Sequence, residues 1–311
     1  MILTVCLSPC IDVNLEVESL NVGKSHKIIS KRVFFTGKAI NVAIGLARLK
    51  ADSFATGFMY EENGHQFEQE LHREGVTYKF VWNDGRVREN YKFIDHKSML
   101  TEIDDISPEV SVQKQEELIK LVEQLAPSCE AVVICGGLAK GMTPDYYAKI
   151  LNVIPQNVKK VVDTEGERLL ESLKYQIDLV KPNLEELERT LQRSIKTEDE
   201  MLLACKELIS MGAKLVLLSL GKGGAIITDG NKSYFCKSMN VAMNSTVGAG
   251  DGMVAAATKA LATGAPLEEI LRRGVAAGTA AVTTPDSISF IKEKYEEILS
   301  TLQIKEIHTT A

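Results

Sequence analysis

Positions 244–251 read Asn-Ser-Thr-Val-Gly-Ala-Gly-Asp, which sets one carboxylate, Asp251, behind small residues and ahead of the segment MVAAATKALATGA. That segment is a good helix former. Gly248, Ala249 and Gly250 would therefore open a helix whose first amides lack internal partners and attract anions. Glycines let the backbone come close to a bound phosphate. An Asp in that turn would repel a phosphate, so anion binding alone does not account for it. Two readings stand open. Asp251 is a base for a hydroxyl that attacks phosphorus, and so must sit beside the transferred group; or it complements the helix dipole, an effect of about 0.3–1 kcal/mol.

Three more stretches place polar side chains where elements begin or end. In TGKAINVAIGLARL, residues 36–49, Gly37 precedes Lys38 and a helix from whose first turn Asn41 projects toward a polar ligand. Alone, the stretch reads as a helix start with a solvated lysine. In VKPNLEEL, residues 180–187, a strand ends at Lys181-Pro182 and a helix begins at about Asn183. Asn183 and Glu186 share a helix face, and an oxygen pair of that kind suits Mg²⁺ held through water. The same two residues form a capping box, which explains the fragment on purely structural grounds. In SLGKGGAIIT, residues 219–228, Ser219, Gly221 and Gly224 belong to a glycine turn between two strands. Such a turn makes a hairpin, and it also offers flat backbone on which a nucleotide could lie at the carboxyl end of a sheet.

Other matches fail. VGKS at 22–25 imitates the end of a P-loop, but the earlier glycine position holds Glu18 and no strand-to-helix context surrounds it. His26, His65, His72, His96 and His308 lack metal-ligand spacing.

The elements that must position these groups follow from periodicity. Short β-branched runs at 2–7, 53–58, 131–135, 159–163, 178–181, 214–219 and 225–228 alternate with segments whose apolar residues recur at three- and four-residue steps. Strands apolar on both faces, alternating with helices, argue an α/β fold with a mainly parallel sheet covered on both sides. Segments 12–35 and 85–101 break that rhythm and alternate without an amphipathic helix. They are expected to pair as a small antiparallel sheet, with Arg88, Asn90 and Lys92 on one face. With no Pro/Ser-rich linker or repeat, a single domain spanning 1–311 with a split lid is expected rather than two domains.

Composition narrows the classes. The 311 residues are 45% hydrophobic, with 36 Lys and Arg against 42 Asp and Glu and no block of like charge, which argues against nucleic-acid binding through a basic surface. MILTVCL lacks a basic leader and meets Asp12 early, so a buried strand is expected there rather than a signal peptide. No run approaches the roughly 20 apolar residues that span a bilayer. The six cysteines include no C-x-x-C pair, as expected of buried, reduced thiols in the cytoplasm.

Taken in order, these stretches resemble the ribokinase-like PfkB family of carbohydrate kinases over essentially the full chain. The resemblance rests on the start Ser8-Pro9-Cys10-Ile11-Asp12, the Gly37-Lys38-x-x-Asn41 helix start, GRVR at 85–88, the K-P-N-x-x-E turn, S-L-G-x-x-G, and the late T-x-G-A-G-D. It is nearest the 1-phosphofructokinase and tagatose-6-phosphate kinase branch. The resemblance implies a three-layer sandwich with a β lid, a ketohexose phosphate and ATP as substrates, and Mg²⁺. It assigns Asp251 as catalytic base, with the amides of Gly248, Ala249 and Gly250 as the anion hole. Asp12 would hold sugar hydroxyls, and Gly37, Lys38, Asn41 and Arg88 the sugar phosphate. Lys181, Asn183, Ser219, Gly221 and Gly224 would lie along ATP, with Asn183 and Glu186 near the metal. A homodimer through the lid is a further implication.

Some positions depart from the branch pattern: Thr36-Gly37-Lys38-Ala39 stands for Gly-Gly-Lys-Gly, Cys135-Gly136-Gly137-Leu138-Ala139 for Ser-Gly-Ser-Leu-Pro, and Ser8 for Asn. All fall on the sugar side. They keep open a kinase of an unphosphorylated sugar or nucleoside, or a sugar-phosphate binder without turnover.

Overall fold

The structure, a computed structural model, describes residues 1–97, 99–241, 248–284 and 289–308. Its first half runs β1 (Ile2–Cys6), β2 (Cys10–Val17), β3 (Ile28–Thr36), α1 (Lys38–Arg48), β4 (Ser53–Tyr60), α2 (His65–Arg73), β5 (Thr77–Asn83), β6 (Arg88–Ile94), β7 (Leu100–Ile103), α3 (Val112–Leu125), β8 (Ala131–Cys135) and α4 (Tyr146–Asn152). There follow β9 (Lys159–Asp163), α5 (Gly166–Leu173), β10 (Leu179–Val180), α6 (Leu184–Leu191), α7 (Glu198–Ser210), β11 (Val216–Ser219), β12 (Ala225–Thr228), β13 (Ser233–Cys236), α8 (Ala249–Ala262), α9 (Leu267–Thr283), α10 (Lys292–Leu299) and β14 (Ile304–Ile307).

Ten strands form the main sheet in the order β14-β13-β12-β11-β10-β9-β8-β1-β4-β5. From β11 to β5 every pairing is parallel, and β12, β13 and β14 close the other edge antiparallel. β1 and β8 are buried at every position, as their uninterrupted apolar runs require in a sheet covered on both sides. α8 packs against both α1 and α9 beside the sheet, while α3 to α6 contact one another in turn along it. α1 buries eight successive residues from Ala39 to Leu46, and α8 buries most of its length. Helices apolar on all sides belong between a sheet and further helices.

Most expected strands are present at or near their sequence-derived bounds. The run 178–181 shrinks to Leu179–Val180, so Lys181 stands just beyond the strand end. The edge strands β5 and β14, and β13 next to β14, escaped the sequence reading.

The second sheet has the order β3-β2-β6-β7. Here one expectation is corrected. The two lid segments do not join antiparallel: β2 and β6 are parallel, pairing Cys10 with Arg88 and Asp12 with Asn90. The antiparallel pairings lie inside each segment, β2 with β3 and β6 with β7. Both β2 and β6 leave the edge of the main domain in the same direction, because each follows a strand or turn at the same end of the parallel sheet.

Candidate functional site

The carboxyl ends of the parallel strands open into a cleft of about 1310 Å³. Open α/β sheets collect ligands at that edge. Every site residue expected from the sequence lines it: Asp12, Gly37, Lys38, Asn41, Arg88, Lys181, Asn183, Glu186, Ser219, Gly221, Gly224, Gly248, Ala249, Gly250 and Asp251. Thr246 and Val247 of the T-x-G-A-G-D motif lie outside the described residues.

Asp251 occupies the first turn of α8, whose N-cap, Gly248, has φ +80°. A residue with a Cβ pays steric strain in that left-handed conformation, so glycine is the favoured residue for the loop to enter the helix this way. The Asp251 side chain is 7% exposed. Its Oδ2 accepts a 2.7 Å hydrogen bond from Asn41 Nδ2, and Asn41 Oδ1 accepts one of 2.9 Å from the Thr36 hydroxyl. Burial pushes the Asp251 pKa up to about 6, partly offset by Lys38, while the negative charge of Asp163 adds to the rise. A lone carboxylate that merely offset a helix dipole would be solvated at the surface; this one is desolvated inside the cleft.

Gly37 makes the turn between β3 and α1, at φ +137°. A Cβ there would stand 3.1 Å from Cys6 Sγ and 3.3 Å from Pro9 Cα. The turn brings Lys38 into the cleft, where its Nζ lies 3.4 Å from Asp163 Oδ2 and 3.3 Å from Glu186 Oε1. Although burial opposes its charge, these carboxylates and Asp251 hold Lys38 firmly protonated. Lys38 thus sits among acidic groups of the cleft that Arg88 also lines. Of the two lost glycines, Ala39 is wholly buried in the core and Thr36 faces the cleft.

Asp163 was missed by the sequence reading. It ends β9, is 1% exposed, and its Oδ1 lies 3.3 Å from Lys181 Nζ. Neither oxygen has an aligned hydrogen-bond partner; the two ammonium groups approach as ion pairs. Burial would raise its pKa, but Lys181 and Lys38 outweigh it and hold the carboxyl below its ordinary value. The available signal was the sequence KKVVD: a carboxylate closing an apolar strand at the edge where ligands bind.

The capping box at Asn183 and Glu186 is present, with both bonds at 2.8 Å. It occupies Glu186 Oε2, while Oε1 faces Lys38. Among the described residues no three His, Cys, Asp or Glu side chains converge on a metal position. Together with the orphaned oxygens of Asp163, this donor set fits a hydrated ion arriving on a phosphate ligand rather than one caged by protein alone. The end of β11 sets Ser219 beside Pro182, whose carbonyl accepts from the Ser219 amide at 3.0 Å.

On the small sheet, Lys92 Nζ reaches Asp12 Oδ2 at 2.9 Å. Arg88 donates to Asn90 Oδ1 at 2.9 Å and to Ser8 Oγ at 3.3 Å. No carboxylate partner for Arg88 is found among the described residues, so its charge faces the cleft. Asn90 and Lys92 line the cleft as well, as the alternation 88, 90, 92 implied. All six cysteines are free and buried, and among the described residues no helix is long and apolar enough to cross a membrane.

Comparison with known proteins agrees with this architecture. The pfkB family carbohydrate kinase pattern matches residues 1–294, and the chain belongs to that family. It is similar to the 1-phosphofructokinase of Borreliella burgdorferi, at 29% identity over the whole of both chains. It is also similar to the tagatose-6-phosphate kinase of Staphylococcus epidermidis, at 26% identity over 99% of this chain and 100% of the other. Among solved structures, phosphofructokinase-2 from Escherichia coli in complex with fructose-6-phosphate superposes with a TM-score of 0.87 at 28% identity, covering 96% of this chain and 98% of that one.

Proposed function

We propose that this member of the pfkB family transfers the terminal phosphoryl group of ATP to a ketohexose phosphate, yielding a bisphosphate from fructose 1-phosphate or tagatose 6-phosphate. The names of its relatives support that substrate class. The observation that carries the reading is Asp251: a buried carboxylate at a helix start, its pKa near 6, beside two lysines in a cleft large enough for nucleotide and sugar.

In this reading Asp251, ionised at neutral pH, takes the proton of the attacking sugar hydroxyl. The amides of Gly248, Ala249 and Gly250 at the start of α8 hold the transferred phosphoryl group, and Lys38 and Lys181 balance its charge. Little covalent chemistry is asked of the protein, so positioning and preorganised charge supply most of the rate. Mg²⁺ on the nucleotide phosphates would be held through water by Asn183, Glu186 and Asp163 and would supply charge neutralisation. Ser219, Gly221 and Gly224 line the nucleotide side. Asp12 holds sugar hydroxyls, and Arg88 grips the sugar's phosphate as a bidentate fork.

The small sheet acts as a lid that excludes water. Its outer strands expose Ile28 and Val33 on β3 and Leu100 and Ile103 on β7, which suits pairing with a second copy of the chain in a cytoplasmic homodimer. A second reading, a kinase of an unphosphorylated sugar, draws on Glu102 and Asp104, acidic groups that line the same cleft and would repel a phosphate.

ADP release with MgATP and a panel of sugars and sugar phosphates tests both. Turnover of a ketohexose phosphate is expected, with Arg88→Ala raising KM about 10–100-fold, the loss of a charge-assisted hydrogen bond. Turnover confined to neutral sugars, with Arg88→Ala unaffected, would establish the second reading instead.

A further inference from the structure

We infer that Thr36 is a positioning residue that fixes the side-chain amide of Asn41 and, through it, the carboxylate of Asp251. The inference rests on the role proposed above for Asp251.

An ionised carboxylate only accepts, so Asn41 must turn Nδ2 toward Asp251, which leaves Oδ1 pointing the other way. At that oxygen stands the Thr36 hydroxyl, 2.9 Å away and donating. The three side chains are 5%, 3% and 7% exposed in chain order, so water does not readily substitute for a missing partner. Without the hydroxyl, Oδ1 is left unpaired in a desolvated place, and the amide is held by one of its two contacts only. The flipped amide would aim a carbonyl oxygen at the carboxylate. Because a hydroxyl both donates and accepts, Thr36 also suits the other half of a catalytic cycle. Once Asp251 carries a proton, the amide can turn and donate to Thr36 while Oδ1 accepts from the acid.

The backbone is arranged for this contact. Thr36 is the last residue of β3, held opposite Cys10, and Asn41 lies in the first turn of α1, with only the Gly37 turn between strand and helix. A glycine at 36 would offer no donor. The groups acting on Asp251 from other elements are Lys38 on α1, Asp163 on β9 and Lys181 beyond β10, with the thiols of Cys6 and Cys135, kept protonated by burial, nearby. α9 lines the cleft with Val275, Gly278, Thr279 and Val282, none of which titrates. The Thr36 hydroxyl donates to the neutral Asn41 amide and carries no charge, so its replacement changes the amide and leaves the charges of this set in place.

The test compares wild type with Thr36→Val, which keeps the shape, and Thr36→Ser, which keeps the hydroxyl; Thr36→Ala replaces valine should that variant not fold. The expected result for valine is a fall in kcat with KM for ATP unchanged, and a displacement of the acid limb of kcat/KM upward by about half to one pH unit, the worth of one hydrogen bond to the ionised form. Serine should restore both. The Asp251 carboxyl titration, followed by carbon-13 NMR and identified by its loss in Asp251→Asn, should move the same way. That second readout needs no turnover, so an inactive wild type would defeat the proposed reaction and still leave the relay decided. Coincident titrations for wild type and Thr36→Val, or a serine variant displaced as far as valine, would overturn it.

Discussion

Asp163 and Asp251 are two buried carboxylates in one cleft, both within the influence of Lys38 and Lys181, and their proton affinities move in opposite directions. The difference lies in what each one touches. Asp163 has an ammonium group within 3.3–3.4 Å of each oxygen. The closest polar partner of Asp251 is a neutral amide at 2.7 Å, and the charge of Asp163 works against it. Burial penalises both ions, and only contact with a cation reverses the penalty. One carboxylate is thereby fitted to hold cations in place and the other to exchange a proton near neutral pH, a separation of roles often produced by paired groups in contrasting surroundings.

That contrast can be broken from either side. The largest effect is expected from Asp251→Asn, which should lower kcat about 10²–10⁴-fold, the usual contribution of a positioned base, while ATP binding measured by calorimetry stays nearly unchanged. Asp163→Asn should act first on the fold. It strands Lys181, 3% exposed, and part of Lys38, so a loss of about 3–5 kcal/mol in urea unfolding at pH 7 is expected. In any folded fraction the acid limb of activity should move to lower pH, because Asp251 then keeps both cations without a competing anion. An upward displacement would show that Asp163 supports rather than opposes the ionisation of Asp251.

Stability against pH sharpens the same contrast. The folded pKa of Asp251 is raised from 3.8 to about 6. Its favourable contribution is therefore complete below about pH 4 and disappears as pH rises through 6. Asp163, with its pKa lowered, contributes above its ordinary pKa and loses that contribution in acid. Asp251→Asn should accordingly be more stable than wild type at pH 8, by roughly 2–3 kcal/mol, with the advantage gone near pH 4. A midpoint difference independent of pH would contradict the assignment. The smallest effect is expected from Gly248→Ala, which forces a Cβ into the left-handed region at a cost of about 1–2 kcal/mol, seen as a lower melting temperature and a fall in kcat without change at Asp163.

The outline of this molecule was legible in its sequence because burial on both faces of a sheet leaves a mark on every residue of a strand. Runs such as AVVIC and KKVVD read as strands, α1 showed apolar residues at three- and four-residue steps, and α8 showed small helix-forming side chains. Short motifs at element ends located the cleft for a related reason: strand ends, caps and glycine turns are local events, and their chemistry is written in three or four adjacent residues. The direction of β2 against β6 was not legible, since alternation fixes which face a side chain takes and says nothing about which way a distant strand runs. β13 and the edge strand β14 are short and carry polar residues, so their pattern is weak.

By itself, then, the sequence determined the α/β layering, the elements that open onto the cleft, and the residue types at their ends. Only the tertiary structure decided which charges meet. Asp163, Lys38, Lys181 and Asp251 come from four separate stretches of the chain, and whether a carboxylate gains or loses a proton depends on a few ångströms between them. Coulomb energy in a desolvated cleft varies steeply over such distances, and hydrophobic periodicity carries no trace of them.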